Sequence, residues 1–238
     1  SITCVFSDFY YKTSNLTIPF IITTLVSSII TFIGIPKLKK IKIKQIIREE
    51  GPKNHFLKQG TPTMGGIFFI PIGIIVSNIL YFNQDNYDII LTLSFVIIFF
   101  MFIGFIDDLL SLKKKLNTGL SSNQKILLQS LISLIFILIC ASNNLIPQNI
   151  QIANKVFNIG NLIYPLGIFV LLAESNSTNL TDGLDGLLSG CSVLIFTGLA
   201  ISILIENPSN NSTLAPLCIA MAGACMGFLF LNKYPAQL

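Results

Sequence analysis

The chain has 238 residues, of which 52% are hydrophobic and only 11% are charged. Soluble domains carry about 25% charged residues, so this composition argues against a soluble domain, a disordered chain, a coiled coil and a secreted disulfide scaffold. The net charge of +4 is too small to indicate nucleic-acid binding without a basic face or motif. The composition therefore favours a polytopic membrane protein.

Seven apolar runs approach the length of about 20 residues that a membrane-spanning helix needs. They lie at residues 16–36, 64–82, 89–106, 123–141, 161–174, 186–205 and 213–231. No internal repeat and no long linker divides the chain. We therefore predict an all-α polytopic membrane protein with a single transmembrane domain, residues 1–238, and about seven transmembrane helices.

Basic residues indicate how the chain crosses the membrane. Thirteen of the fifteen fall in segments 37–58 and 113–125 and at Lys233, which all lie on one side of a seven-span arrangement. Cytoplasmic loops carry an excess of Lys and Arg, so we predict that this side is cytoplasmic and that the N-terminus is outside. Segment 37–50 mixes Lys with Ile, and either lies on the membrane surface or serves only as the topology signal.

Four acidic residues lie close to the ends of predicted spans. Asp107 and Asp108 end the third span, and Asp182 and Asp185 occur in the sequence NLTDGLDG before the sixth span. Acids near membrane spans are costly and are functional candidates by default. Both clusters face the predicted cytoplasmic side, so we expect them to converge on a site for Mg²⁺ and phosphate, because Mg²⁺ prefers oxygen ligands.

The spacing of the second cluster adds a geometric expectation. If the sixth span begins near Thr181, then Asn179, Asp182 and Asp185 are three residues apart and share one helix face. The alternative is that the polar residues before the span only cap a helix. For Asp107 and Asp108, the alternative to a functional site is that they only mark the solvent-exposed end of the third span.

The segment Lys58–Gly66, with sequence KQGTPTMGG, enters the second span. Its Gly, Pro and Thr residues predict a tight turn that directs hydroxyl and backbone N–H groups at the aqueous boundary. Lys58 is a candidate for meeting a phosphate or a polar ring as a point charge. Taken alone, the segment is equally typical of an ordinary loop that leads into a helix.

Five motifs in the chain together resemble the phospho-N-acetylmuramoyl-pentapeptide-transferase family, MraY. They are Lys58–Gly66, Gly104–Asp108 (GFIDD), Gly119–Gln129 (GLSSNQKILLQ), Asn176–Gly186 (NSTNLTDGLDG) and Asn232–Ala236 (NKYPA). Their order and spacing match over essentially the whole chain. Relatives that act on UDP-N-acetylglucosamine generally have an Arg-containing variant of the second-span motif, so Thr63 and Met64 favour the muramoyl-pentapeptide branch.

The resemblance implies an enzyme of the plasma (inner) membrane with ten spans and an active site that faces the cytoplasm. Undecaprenyl phosphate and UDP-MurNAc-pentapeptide would react, with Mg²⁺ as cofactor, to give lipid I and UMP in peptidoglycan synthesis. The implied partners are these two substrates and membrane lipids, with no nucleic acid, and a homodimer is left open.

The resemblance also assigns site residues. Asp107, Asp108 and Asp182 would be catalytic, and Asp107 and Asp182 would be metal ligands. Lys125 would meet phosphate, while Lys58 and Asp185 would lie near the uracil. The full set of implied substrate-binding residues is Lys58, Thr63, Lys125, Asn176, Asn179, Asp185 and Asn232.

The chain departs from the family pattern in two places. It stops at Leu238, before the Phe-Met-Gly-Asp-Thr-Gly motif whose Asp contributes to the Mg²⁺ site, and before the family's last spans. The residues after Asp108 also differ, and Lys113 is a candidate substitute for the usual lysine. We therefore expect a C-terminally truncated fragment that is inactive alone.

Two alternatives to this function remain. One is an enzyme that uses UDP-N-acetylglucosamine, and the other is an ion-conducting transporter, which would place its acids near the bilayer centre.

Overall fold

A computed structural model of the chain describes residues 16–40, 64–82, 87–114, 119–152, 155–206 and 214–236. Over those residues the protein is an all-α polytopic membrane protein. Its helices are α1 (Thr17–Lys40), α2 (Gly66–Tyr81), α3 (Tyr87–Lys114), α4 (Ser122–Ser142), α5 (Ile163–Thr181), α6 (Leu187–Glu206) and α7 (Leu214–Asn232). Between α4 and α5 lie an antiparallel hairpin of β1 (Asn149–Ile152) and β2 (Lys155–Asn158) and a 3₁₀ turn (Gly160–Leu162).

Each predicted span overlaps one of these helices. Five of them, α1, α3, α4, α6 and α7, are long and apolar enough to cross a membrane. α2 has only 16 residues, and the C-terminal part of α5 has the polar sequence ESNSTNLT. The prediction of an all-α membrane protein is confirmed, whereas the number of spans and the outside N-terminus stay predictions. The β-hairpin was not predicted.

The sixth span, predicted at residues 186–205, agrees with α6, so the condition for a shared helix face, a start near Thr181, is not met. α5 continues through Thr181, whose hydroxyl donates a 2.9 Å hydrogen bond to the carbonyl oxygen of Ser177 and so closes the last turn of that helix. Residues 182–186 then form a turn that ends at Gly186, where φ is +73°, a value that favours glycine. The acids of this segment therefore lie in a turn between two helices and do not share a helix face with Asn179.

α7 lies at the centre of the helix bundle and contacts α1, α2 and α6. Small residues allow its close approach to α1, since a Cβ atom added at Gly223 would overlap the hydroxyl oxygen of Thr23. A Cβ atom at Gly227 would lie 2.8 Å from the Cβ atom of Ser27, whose hydroxyl donates a 2.8 Å hydrogen bond to the carbonyl oxygen of Ala224. Helices in lipid associate through such small-residue contacts and interhelical hydrogen bonds.

A buried hydrophobic cluster brings four helix ends together. Ile35 and Leu38, near the C-terminal end of α1, pack with Met64, which precedes α2. The partly buried side chains around them include Phe105 and Leu109 of α3 and Leu231 of α7, and also Ile67, Phe68, Leu112 and Phe228. The C-terminal ends of α1, α3 and α7 and the N-terminal end of α2 therefore lie at the same end of the bundle.

The position of Asp107 and Asp108 along α3 determines how far they lie from the start of that helix. The helix has 28 residues and begins at Tyr87. At 1.5 Å per residue, Asp107 lies about 30 Å along the helix from its start, which is about the thickness of the hydrocarbon core of a bilayer. Lys113 and Lys114 follow in the last turn. If Tyr87 lies at one membrane boundary, the paired acids lie at the other boundary rather than near the bilayer centre.

The close contact between α1 and α7 gives a stability prediction. We expect Gly223→Ala to lower the midpoint of thermal unfolding in detergent, because overpacking a tight contact costs about 1–3 kcal/mol. The matched control is Gly198→Ala on α6, where an added Cβ atom has nothing within 4 Å. That variant is expected to unfold at the same or a slightly higher temperature, since Ala is a better helix former than Gly by about 1 kcal/mol. Equal midpoints for the two variants would contradict the proposed contact.

Candidate functional site

Asp107 connects α3 to the beginning of α4. Its Oδ2 atom forms a 2.7 Å salt bridge with Nζ of Lys125, and the two side chains are only about one-fifth exposed, at 22% and 19%. Its Oδ1 atom accepts a 2.8 Å hydrogen bond from the backbone N–H of Leu120. Partial burial reduces screening by water and strengthens the ion pair relative to an exposed one. Both carboxylate oxygens of Asp107 are therefore engaged within the protein.

The turn before α4 is fixed by its own contacts. An added Cβ atom at Gly119 would overlap the backbone carbonyl of Asp107, so the close approach requires glycine. Lys114 donates a 2.7 Å hydrogen bond from Nζ to the carbonyl oxygen of Gly119. Ser121 and Gln124 form a capping box, in which each side chain accepts a hydrogen bond from the backbone N–H of the other residue. These contacts hold the first turn of α4 against the end of α3.

Asp108 is the residue at which the two acidic clusters meet. The backbone N–H of Met64 donates a hydrogen bond to its carboxylate, and the charges of Asp107, Asp182 and Lys125 all act on it. Asp108 and Asp182 therefore lie within electrostatic range of each other, whereas convergence of both acid pairs on one site stays a prediction. The side chain of Asp108 is partly buried, and that of Asp182 is exposed.

Met64 adopts a backbone conformation that is unusual for a residue other than glycine. Its φ is +73°, and such strained residues cost about 1–3 kcal/mol and persist only where the surrounding structure holds them. Its side chain is 6% exposed and belongs to the cluster with Ile35 and Leu38. Packing of the side chain thus directs the backbone N–H of Met64 at Asp108. Residues 58–63 of the segment predicted as a tight turn lie outside the described residues, so that turn stays a prediction.

The turn that carries Asp182 and Asp185 is held by the C-terminal end of α7. Oδ1 of Asn232 accepts hydrogen bonds from the backbone N–H of Gly186 at 2.9 Å and from the hydroxyl of Ser189 at 3.3 Å. Oδ2 of Asp185 accepts a 3.1 Å hydrogen bond from the backbone N–H of Ala236. The position of this acidic turn is therefore set by the end of the central helix.

A buried glutamine joins α4 to α5. Gln129, which is 3% exposed, donates a 2.9 Å hydrogen bond to the hydroxyl of Ser175 and accepts a 3.0 Å hydrogen bond from Nδ2 of Asn176. It lies one helical turn after Lys125, so it fixes the distance between that lysine and the end of α5. The motif comparison gave Gln129 no role, although an amide in an apolar helix already indicates a buried hydrogen-bond partner.

The predicted site residues other than the four acids and Lys125 divide into three groups. Lys58 and Thr63, together with most of the first loop, lie outside the described residues. Asn179 is exposed on the last turn of α5. The side chains of Asn176 and Asn232, which were expected to line the site, hold helices and turns in place.

Over the described ranges, no group of three or more His, Cys, Asp or Glu side chains lies close enough together to hold a metal ion. The metal ligands expected at Asp107 and Asp182 therefore remain a prediction. The acids that do approach each other are Asp108 and Asp182, with Asp107 paired to Lys125.

Comparison with known protein families gives two matches. Residues 90–238 match glycosyl transferase family 4, and residues 58–70 match signature 1 of phospho-N-acetylmuramoyl-pentapeptide-transferase. The first match contains both acidic clusters, Lys125 and Asn232. The second contains Met64 and the segment that leads into α2.

Curated relatives named phospho-N-acetylmuramoyl-pentapeptide-transferase are similar over almost the whole chain. The protein of Prochlorococcus marinus (strain NATL2A) is 98% identical over 238 residues, which are 100% of this chain and 64% of the relative. That of Prochlorococcus marinus (strain MIT 9313) is 45% identical over 98% of this chain and 62% of its own length. That of Synechococcus sp. (strain CC9311) is 42% identical over 98% of this chain and 63% of its own length. The chain thus spans a little under two thirds of these relatives.

The contacts of Asp107 give a prediction about local order. We expect Asp107→Ala to speed amide hydrogen exchange in segment 119–125, because Leu120 loses its acceptor and Lys125 loses its ion-pair partner. Loss of a hydrogen bond worth about 1–3 kcal/mol corresponds to roughly tenfold or faster exchange. Mass spectrometry of the protein in detergent provides the measurement.

The control is Asp88→Ala, which changes an acid in the first turn of α3, about 30 Å away along the helix. Exchange in segment 119–125 is expected to be unchanged in that variant. If the two variants exchange alike in this segment, the anchoring contact of Asp107 does not hold the turn.

Proposed function

The chain belongs to glycosyl transferase family 4, and we propose that it forms the greater part of a transferase that makes lipid I. The matches confirm the resemblance drawn from the five motifs. In the proposed reaction, phospho-MurNAc-pentapeptide passes from UDP-MurNAc-pentapeptide to undecaprenyl phosphate, and UMP leaves. The enzyme would lie in the plasma (inner) membrane with its site facing the cytoplasm.

The observation that supports this proposal is that Asp182 and Lys125 both act electrostatically on Asp108, near the end of α3 that also carries Lys113 and Lys114. Transfer of a sugar phosphate from a soluble nucleotide to a lipid phosphate requires both substrates at the level of the lipid headgroups. Phosphoryl transfer depends chiefly on positioning and on neutralising phosphate charge. A lysine and paired carboxylates at that depth supply both. A transporter would place its acids nearer the bilayer centre, so the depth of this site counts against that alternative.

We propose different roles for the two adjacent acids of α3. Asp107 is a positioning residue, because its two oxygens already bind Lys125 and the backbone N–H of Leu120. Asp108 is the acid that acts on the lipid phosphate, since it is partly buried and both the Met64 N–H group and Asp182 act on its carboxylate. One of the three ammonium N–H groups of Lys125 donates a hydrogen bond to Asp107. A lysine ammonium has three such donors, and N–H groups of this kind bind phosphate oxygens.

The cofactor we propose is Mg²⁺. Two carboxylates, Asp108 and Asp182, act on each other electrostatically, and a divalent cation would offset their repulsion. This pair fits a Mg²⁺ site in which one or two carboxylates and the substrate phosphates supply the ligands. When bound, the ion would neutralise charge on the transferring phosphate. The engaged oxygens of Asp107 favour Asp108 over Asp107 as the partner of Asp182.

The remaining polar residues would bind the nucleotide. Asn179 and Asp185 lie at the end of α5 and in the turn that follows, and the family resemblance adds Lys58 and Thr63 from the first loop. Asn176 and Asn232 would act by holding the site together, as their hydrogen bonds indicate. Membrane lipids are partners of the protein through its apolar helices, and a homodimer is left open.

Substitution of single acids in the full-length relative of Prochlorococcus marinus (strain NATL2A) tests these roles. We expect Asp108→Asn and Asp182→Asn to abolish formation of the lipid product, whereas Asp107→Asn lowers turnover by about 10- to 100-fold, as is usual for groups that orient a ligand. Asp88→Asn on the same helix is the control and is expected to retain normal turnover. Thermal unfolding confirms that each variant is folded. Near-normal turnover in the variant at 108 or 182, or complete loss at 107, would refute the assignment.

The sugar donor is tested separately. The unsubstituted full-length relative is expected to consume UDP-MurNAc-pentapeptide and to leave UDP-N-acetylglucosamine unused, with radiolabelled product measured in the lipid phase. Transfer from UDP-N-acetylglucosamine alone would replace the proposed substrate while keeping the proposed reaction type.

A further inference from the structure

The β1–β2 hairpin lies at the end of the α4–α5 pair that is opposite to the acids. α4 begins next to the contact between Leu120 and Asp107 and has 21 residues, so its other end is about 30 Å away. The hairpin follows that end, and α5 then returns to the acidic turn at 182–186. A hairpin placed about one hydrocarbon thickness from the site lies at the other boundary of the membrane.

The register of the hairpin separates apolar from polar residues. Ile150 pairs with Phe157, and Ile152 pairs with Lys155. Because directly opposed residues and alternate residues of a strand share a face, these four side chains lie on one side of the hairpin. The opposite face consists of Asn149, Gln151, Val156 and Asn158.

Two of the three apolar side chains on this face are exposed, and Ile150 is partly buried. Ile152 is 63% exposed and Phe157 is 46% exposed. The elements on either side of the hairpin also expose leucines, Leu138 near the end of α4 and Leu162 just before α5. α4 is long and apolar enough to cross a membrane. The hairpin therefore follows in the chain directly after a helix with an exposed apolar surface suited to lipid.

We propose that the hairpin docks on the membrane surface, with Ile150, Ile152 and Phe157 in the acyl-chain boundary and Lys155 directed at anionic headgroups. An apolar face inserts to the level of the headgroup and acyl boundary, and a lysine at its edge extends its charged group toward the headgroups. The occupant that we propose for this face is lipid, and cover by a second copy of the chain or by another segment is an outcome that the test below distinguishes. This inference does not depend on the proposed reaction.

The composition of the chain allows a direct test, because the sequence contains no tryptophan. Phe157→Trp places a single fluorophore on the apolar face. Val156→Trp is the matched control, since it changes the adjacent residue, which is also apolar and is 65% exposed, on the opposite face. Each variant is reconstituted in vesicles of phosphatidylcholine and phosphatidylglycerol.

We expect the emission of the Phe157→Trp variant to be shifted to the blue, strongly quenched by lipids brominated on their acyl chains, and weakly quenched by aqueous iodide. The control is expected to show the reverse. Ile152→Trp provides a second reporter on the same face if the first substitution disturbs the hairpin. Quenching of the apolar-face reporters by iodide as strong as that of the control would overturn the proposal. Blue-shifted emission without quenching by brominated lipid would also overturn it, since it would indicate cover by protein.

The role of the charge is tested in the Phe157→Trp variant. Quenching by brominated lipid is expected to be greater in the mixed vesicles than in phosphatidylcholine alone, and Lys155→Gln is expected to remove this difference. A difference that persists in the Lys155→Gln variant would refute the headgroup contact.

Discussion

Close packing around α7 is the constraint on which the site depends. In lipid there is little hydrophobic force between helices, so they associate where small side chains allow their backbones to approach. Gly223 and Gly227 provide such a surface for α1, and the same helix also contacts α2 and α6. The C-terminal residue of α7, Asn232, then binds Gly186 in the acidic turn. The close packing of α7 in the bundle therefore helps to set the position of the turn that carries Asp182 and Asp185.

Charge at the site is compensated unevenly. Asp107 lies beside the N-terminal end of α4, where the helix dipole and a backbone N–H favour an anion, and it also has Lys125 as a partner. Asp182 directly follows the C-terminal end of α5, where the dipole disfavours an anion. Asp108 lies within reach of both neighbouring acids. The negative potential is therefore concentrated on the side of Asp108 and Asp182, which is where a cation and its phosphate are favoured.

The sequence predicts the helices well because the hydrocarbon core demands long apolar runs, and each of the seven runs overlaps a helix. The turn at 182–186 was misjudged because the polar end of α5 and the acidic turn look alike as sequence, and only the hydrogen bond of Thr181 to Ser177 and the positive φ of Gly186 separate them. The hairpin was missed because each strand has only four residues, which is too short for a clear periodic signal.

The sequence pointed to acids that act on each other, as Asp108 and Asp182 do, but it described the residues that support them less well. It treated Asn176 and Asn232 as part of the lining, whereas their hydrogen bonds join elements of the fold. Such roles depend on which side chains meet across helices, and a single sequence does not contain those distances. The role of Met64 was likewise inaccessible, because it is the backbone N–H and not the side chain that reaches Asp108.

The distance of Asp107 and Asp108 from the start of α3 is comparable to the thickness of the hydrocarbon core. About 30 Å separates the start of the helix from its acids, so a helix that begins at one boundary of an ordinary membrane carries its acids to the opposite boundary, with Lys113 and Lys114 beyond them. A thicker bilayer would draw them inward or tilt the helix, each at a cost of fractions of a kcal/mol per ångström of mismatch. The acyl-chain length of the surrounding lipids therefore affects how well the protein's carboxylates are aligned with a lipid phosphate.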